Sequence, residues 1–298
     1  GSTVIDKLPR EHYEVRDILI TNAGEWHLDG APTAPAKLTQ SVDVVFNALH
    51  GEFGEDGKVQ RILDFFNVPY TGSTAIPSAI GMNKELSKKY FSAVGIKVPR
   101  GVTVSRGDEV GEVVARVGDE IHAPFVVKPL SGGSSIGLSL AHNEKELIVA
   151  IEKALSFADK AMVEEYVRGR EITLGVIDAT GKRGAYATPP LEILLTEGKL
   201  FDYDQKNRNP THPVGTARMN DRERKNLEDT ALRAHMHLSA RHYARYDFIM
   251  SENGPCLLEV NTLPGITEHS LFTKSLELHG LQLPEFLDYI ITLALQKK

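Results

Sequence analysis

Tyr243–Asn261 reads YARYDFIMSENGPCLLEVN, two alternating runs joined by Ser-Glu-Asn-Gly-Pro, which is the pattern of a β-hairpin. With the turn centred on Asn253, Asp247 falls opposite Glu259 and Arg245 opposite Asn261, while Phe248, Met250, Leu258 and Val260 point to the other face. Opposed side chains lie roughly 4.5–5.5 Å apart, and like charges there repel unless a cation bridges them. The oxygens of Asp247, Glu259 and Asn261 suit Mg²⁺, which usually takes one or two carboxylates plus substrate phosphates. The competing reading is an outer sheet face with solvated charges. The exit Thr262-Leu263-Pro264-Gly265-Ile266-Thr267 favours the site, because a Pro-Gly loop can present backbone N–H groups beside the ion.

Around this hairpin the chain runs to 298 residues, long for one hydrophobic core, and its apolar share of 41% is ordinary for a globular protein of two or three units. It contains no run of about 18 apolar residues, so no membrane span is expected. A net charge of −6 argues against a nucleic-acid-binding surface and leaves small-molecule chemistry as the better expectation. The one cysteine, Cys256, permits no disulfide framework, fits a reducing cytoplasm and reads as a small buried apolar residue. Gly1-Ser2 reads as an appended dipeptide, with no signal peptide after it.

Toward the amino terminus, Glu14–Thr21 reads as a strand onto which Glu25–Leu28 pairs back. Val42–Asn47 is a short buried strand ending at His50-Gly51, followed by the loop Gly54-Glu55-Asp56-Gly57 and a helix over 58–66 with Val59, Ile62, Leu63 and Phe66 at helical spacing. Val68–Gly72 then reads as strand and turn. This alternation describes an open α/β sheet, whose ligands gather at the carboxyl ends of strands, where His50 and Glu55 sit.

A second unit opens at Asn83, a helix cap, with the helix running to about Val94 and stopped by Gly95 and Pro99. Strands at 101–105, 123–129, 138–141 and 162–167 and helices at 109–117 and 144–155 follow. Between two of these strands, Leu130–Gly137 is a Gly/Ser loop. It is not a Walker A element, yet Gly132, Gly133 and Gly137 permit close backbone approach, Ser134 and Ser135 add hydroxyls, and Lys128 supplies charge; a plain hairpin tip is the alternative. Lys84 at a helix start runs against the dipole and hints at an anionic partner. Glu164, the Glu165-Tyr166-Val167 backbone and Glu171 offer what adenine and ribose would need. The third unit has strands at 171–176, 184–188 and 191–194, an unstructured stretch over 202–220 that reads as a lid, a helix over 221–243 with Leu227, Ala231, Ala234 and Leu238 inward, the hairpin, and a helix over 283–295.

Together these pieces resemble the ATP-grasp superfamily and, within it, the D-alanine:D-alanine ligase family. The resemblance covers nearly the whole chain. It is carried by Leu49-His50-Gly51 with Gly54-Glu55-Asp56-Gly57, Gly81-Met82-Asn83-Lys84, Val127-Lys128-Pro129 with Gly133-Ser134-Ser135-Ile136-Gly137, Val163-Glu164 with Gly169-Arg170-Glu171, Phe201–Lys206, Ala244–Asp247, and Leu258–Leu271. The implied fold is a three-domain α/β ATP-grasp: an incomplete N-terminal domain over 1–82, a central subdomain over 83–167 and a C-terminal subdomain over 168–298 that sandwich ATP.

The implied reaction joins two D-alanines: ATP phosphorylates the first carboxylate, and the second amine attacks the acyl phosphate, giving D-alanyl-D-alanine, ADP and phosphate for peptidoglycan. The resemblance assigns Lys84, Lys128 and Lys206 to phosphates, with Ser135 beside them, and Glu164, Tyr166, Val167 and Glu171 to adenosine. Asp247, Glu259 and Asn261 would take two Mg²⁺ ions, with Mn²⁺ a substitute. Arg245 and the Gly265 amide would form an oxyanion site. His50, Glu55 and Ser134 would lie near the first amino acid, and Ser270 and Leu271 would hold the second carboxylate. A homodimer in the cytoplasm is what the family implies.

Two features depart from the family pattern. Its usual opening strand, Gly-Gly-x-Ser-x-Glu turn and helix precede the point where this sequence starts, and Asn207 follows Lys206 where a tyrosine is common, in a shorter lid. The second substrate therefore stays open between D-alanine, D-serine and D-lactate, with a nucleotide-binding relative without turnover as the other alternative.

Overall fold

The computed structural model describes residues 1–131, 136–180, 184–194 and 214–296, the Thr39 side chain excepted. Near the amino terminus, β1 (Ile18–Ile20), β2 (Trp26–Leu28) and β3 (Ala31–Thr33) form an antiparallel sheet, Ile18 opposite Leu28. Of the open α/β sheet expected over 42–47 and 68–72, one parallel bridge forms, Val45 opposite Tyr70. Pro69 has no N–H to extend the ladder, and the Thr71 hydroxyl takes the next position by accepting from the Asn47 N–H at 3.1 Å. Trp26, Leu38, Val59, Leu63, Val68 and Tyr70 form the core of this region, with the helix Lys58–Phe65 across it.

Two antiparallel sheets make up the rest. The central sheet has the order β4–β7–β5–β6, from β4 (Gly101–Ser105), β5 (Phe125–Pro129), β6 (Ser139–Ala141) and β7 (Lys160–Glu165). The helices Val110–Glu120 and Glu144–Leu155 cover one face, burying Val113, Val117, Leu147 and Ile151 against Val102, Val127 and Val163. Strand alternation therefore sends Lys128 and Glu164 to the other face.

The C-terminal sheet has the order β11–β10–β8–β12–β13, with β9 also on β8. Its strands are β8 (Arg170–Asp178), β9 (Ala185–Ala187), β10 (Leu191–Ile193), β11 (Val214–Thr216), β12 (Tyr243–Ser251) and β13 (Gly254–Asn261). Leu227, Ala231, Ala234 and Leu238 of the helix Asp221–Leu238 pack under it, and Phe91 from the helix Lys84–Ala93 joins the same core. The helices Leu271–His279 and Leu283–Leu295 build a neighbouring core around Phe272 and Phe286.

Several expectations shift. The 221–243 helix ends at Leu238, because Ser239 turns left-handed (φ 54°) and Tyr243 is drawn into the sheet opposite Ile177. Within the stretch expected to lack structure, Val214–Thr216 pairs with β10, its backbone satisfied by the ladder. Asp202–Pro213 of that stretch, with Lys206 and Asn207, lies outside the described residues, as do Gly132, Gly133, Ser134 and Ser135. Two helices unmarked in the sequence reading, Ala75–Met82 and Leu271–His279, flank the hairpin's exit loop. No helix among the described residues is long and apolar enough to cross a membrane.

Candidate active site

The hairpin places Arg245 opposite Asn261 and Asp247 opposite Glu259, as the alternation predicts. Nearer the turn the register differs: Phe248 pairs with Leu257, because a bulge between Asp247 and Phe248 inserts Leu258 as an extra residue. The turn is thus the tight Ser251–Gly254 kind, and Leu257, not Leu258, enters the core beside Phe248 and Val260. The bulge rotates the polar end of the hairpin into the pairing a looser turn would have produced.

Asp247 is buried and fully engaged. Its Oδ1 accepts from the Thr173 hydroxyl at 2.6 Å and from Arg245 Nε at 2.9 Å; its Oδ2 accepts from Arg245 Nη2 at 2.9 Å and from Asn261 Nδ2 at 3.2 Å. The cation bridging this acidic face here is a guanidinium, held bidentately. Glu259 and Glu55 add further negative charge around Arg245, and with Asp247 they raise its pKa against the opposing effect of burial. Among the described residues no three His, Cys, Asp or Glu side chains are gathered as a metal cage. The donor set nevertheless fits a hard cation that brings its own phosphate ligands: two carboxylates and an amide whose N–H goes to Asp247, which turns its carbonyl oxygen the other way.

Glu55 reaches this face from the amino-terminal region. The Gly51 N–H donates to its Oε2 at 2.6 Å, and the neighbouring turn is fixed by Asp56, which accepts from the N–H groups of Phe53 and Lys58, each at 3.0 Å. Gly57 has φ 90°, and a Cβ there would lie 2.4 Å from the Ala75 carbonyl oxygen, so the motif's last position requires glycine. Burial raises the Glu55 pKa, opposed by the Gly51 hydrogen bond and by Arg245 and reinforced by Glu259. His50 lies in the same loop, its pKa lowered chiefly by burial and partly restored by a hydrogen bond to the Leu263 backbone. Together with Asn47, Tyr243, Pro264 and Thr267 it lines a small cleft.

A Cβ on Gly265 would lie 3.0 Å from Ser270 Oγ, so the Pro-Gly loop packs on the start of the helix Leu271–His279. Ser270 is the N-cap, but its Oγ accepts from the Thr267 N–H at 3.1 Å and shares a hydrogen bond with Thr267 Oγ1 at 2.8 Å. The first turn of the helix therefore has no side-chain cap, an arrangement suited to a carboxylate.

On the central sheet, Lys128 Nζ lies 2.9 Å from Glu164 Oε1, and Lys88 Nζ lies 3.0 Å from the same atom. Burial alone would raise the Glu164 pKa, but the two ammonium groups outweigh it and hold the carboxylate ionised. Tyr166 and Val167 follow β7, where the Tyr166 N–H donates to the Pro124 carbonyl at 3.0 Å. Glu171 lies on β8 opposite Ile249, and Lys84 opens its helix behind the Asn83 cap, whose side chain accepts from the Leu86 N–H at 3.0 Å.

A family model described as the D-ala D-ala ligase C-terminus matches residues 90–292, and one described as its N-terminus matches 29–73. The chain belongs to the D-alanine–D-alanine ligase family. It is 38% identical over 263 residues to a D-alanine–D-alanine ligase of Desulfotalea psychrophila, covering 86% of this chain and 80% of that one. Among solved structures, the VanG D-Ala:D-Ser ligase of Enterococcus faecalis superposes with a TM-score of 0.83 at 27% identity, covering 98% of this chain and 93% of the other. A Bacillus anthracis D-alanine–D-alanine ligase complexed with ATP gives 0.79 at 27% identity, covering 99% and 90%.

Within this family member, sequence reasoning missed Thr173 and Lys88. Thr173 stands opposite Asp247 in the β8–β12 ladder, but that pairing joins strands far apart in sequence. Lys88 lies one helical turn beyond Lys84, and only tertiary packing gives it a carboxylate. A third group ties the regions together: Arg241 donates to the carbonyls of Gly72 and Tyr70 at 3.0 and 3.1 Å, and His242 Nδ1 accepts from the Gly72 N–H at 3.1 Å.

Proposed function

We propose that the chain is an ATP-dependent ligase that joins two D-alanines through an acyl phosphate. The observation that carries this reading is the Arg245–Asp247–Glu259–Asn261 face, met by Glu55 from the amino-terminal region and bordered by the uncapped start of the helix Leu271–His279. Its domains would divide after residues 82 and 167.

In the first step the carboxylate of one D-alanine attacks the γ-phosphorus of ATP, the bond to the β-phosphate oxygen breaks, and ADP leaves. Lys84, Lys128 and Lys206, with Ser135 of the Gly/Ser loop, would hold the phosphates, and Glu164, the Tyr166–Val167 backbone and Glu171 the adenosine. In the second step the free amine of the other D-alanine attacks the acyl carbon, the amine loses a proton, and phosphate leaves as the C–O bond breaks. Arg245 and the Gly265 N–H would stabilise the oxyanion, a role for preorganised donors in a buried site. Ser270 and Leu271 would orient the second carboxylate, and His50, Glu55 and Ser134 the first amino acid. Asp247, Glu259 and Asn261 would hold Mg²⁺, which when bound neutralises phosphate charge.

A second reading, ligation of D-alanine to D-serine, is favoured by Asn207 and by the fit to a D-Ala:D-Ser ligase. Phosphate release from ATP and Mg²⁺ decides between them, with D-alanine, L-alanine, D-serine and D-lactate offered singly and in pairs. Release with D-alanine alone, accompanied by dipeptide, is expected; release only when D-serine accompanies D-alanine would select the second reading. ATP binding without release under any pairing would reject both.

A further inference from the structure

Lys88, Lys128 and Glu164 place two ammonium groups on one carboxylate oxygen, in a setting where Lys88 is 8% and Glu164 2% exposed. Both ammonium groups pull on that one oxygen, and their effect on Glu164 is chiefly coulombic. Lys88 Nζ does donate to the Pro99 carbonyl, at 3.3 Å. That anchors it where the chain enters β4, whose Gly101 stands opposite Glu164. The lysines repel each other as well as attracting Glu164: burial lowers the Lys88 pKa, Lys128 lowers it further, and Glu164 only partly restores it.

A buried cluster with one more positive than negative charge is costly unless an anion completes it. The cluster sits on the polar face of the central sheet and is within electrostatic reach of Cys256 on β13, so it looks toward the C-terminal sheet. Without Lys88, Glu164 and Lys128 would close into a neutral pair, and the carboxylate would compete with a phosphate for the Lys128 ammonium. With Lys88 present the carboxylate is neutralised from the other side.

We propose that Lys88 is a positioning residue for nucleotide binding: by neutralising Glu164 it leaves the Lys128 ammonium available to the phosphates of ATP. The inference rests on the reading that ATP binds between the two sheets. It assigns Lys88 no contact with the nucleotide; its effect passes through Glu164.

A double-mutant cycle on ATP binding in the presence of Mg²⁺ tests this, using the full chain and its Lys88→Met, Glu164→Gln and doubly substituted forms, with Lys88→Arg as the conservative variant. Lys88→Met is expected to weaken ATP binding about tenfold, a size ordinary for coupled neighbours, and to leave the KM for D-alanine at saturating ATP unchanged. Lys88→Arg is expected to bind ATP nearly as the parent does. In the Glu164→Gln background, where no carboxylate competes, Lys88→Met is expected to change affinity less than about twofold. Equal losses in both backgrounds would overturn the proposal by showing that Lys88 meets the nucleotide directly, and no loss in either would overturn it outright. Should Lys88→Met alone not fold, Lys88→Gln takes its place in both backgrounds, with the same contrast expected. Failure of the parent chain to bind ATP would instead remove the nucleotide reading on which the proposal stands.

Discussion

The polar faces of the two large sheets carry opposite charge excesses. On the C-terminal hairpin one guanidinium, Arg245, is surrounded by Asp247, Glu259 and Glu55; on the central sheet one carboxylate, Glu164, is surrounded by Lys88 and Lys128. Both faces come from the same device, a strand alternation that buries apolar residues against helices and turns every second side chain the other way. The difference lies in what each face lacks. Around Arg245 carboxylates outnumber the cation and around Glu164 ammonium groups outnumber the carboxylate, so the first face suits a cation and the second an anion.

The largest expected effect comes from removing the hairpin's single internal cation. Arg245→Met leaves Asp247 buried without its bidentate partner, which should cost about 3–5 kcal/mol in urea unfolding. If Arg245 is the oxyanion donor proposed above, turnover should fall on the order of 10²–10³-fold. A variant as stable as the parent would mean that Asp247 is not held as a buried ion pair, and the contrast between the faces would fail.

A smaller change sharpens the same face. Thr173→Val removes the 2.6 Å hydrogen bond to Asp247 Oδ1 while keeping the side chain's shape. Groups that orient a metal ligand typically contribute 10–100-fold in affinity, so Mn²⁺ binding followed by electron paramagnetic resonance should weaken by about tenfold or more, with Thr173→Ser restoring it. Unchanged Mn²⁺ affinity would separate Asp247 from metal binding.

The smallest effect is a pair of opposite pH slopes. Glu164 has a depressed pKa, so its ionised form stabilises the fold above the ordinary carboxylate range, and that contribution is lost as pH falls through the depressed value. Glu55 has a raised pKa, chiefly from burial, so its contribution is complete below the ordinary range and is lost as pH rises through the elevated value. Unfolding followed between about pH 3 and 7 should show the stability advantage of the parent over Glu164→Gln shrinking on acidification. Relative to Glu55→Gln, the parent should lose ground as pH rises. Parallel slopes would show that the two carboxylates share one environment.

Much of the fold was legible because it is written in local period. The helices Glu144–Leu155 and Leu283–Leu295 have the predicted bounds, and Asn83 caps its helix as expected, since apolar spacing and capping residues act within a turn or two. The facing of Asp247 and Glu259 matches the expectation only because the bulge offsets a turn placed one residue off, and that bulge was not legible. Whether an extra residue sits in one strand depends on its partner: β8 holds β12 in continuous register through this stretch, so the extra residue falls in β13.

The sequence by itself determined which side chains share a face of each strand and helix, and through its ordered motifs the family to which the chain belongs. Only the tertiary structure decided which charges meet: Arg245 with both oxygens of Asp247, Thr173 beneath them, and Lys88 with Glu164, 76 positions further along the chain. Periodicity acts between residues a few positions apart and can be read along the chain. An ion pair between distant segments forms only when packing brings them together in a buried setting, and neither residue type nor spacing records that partner.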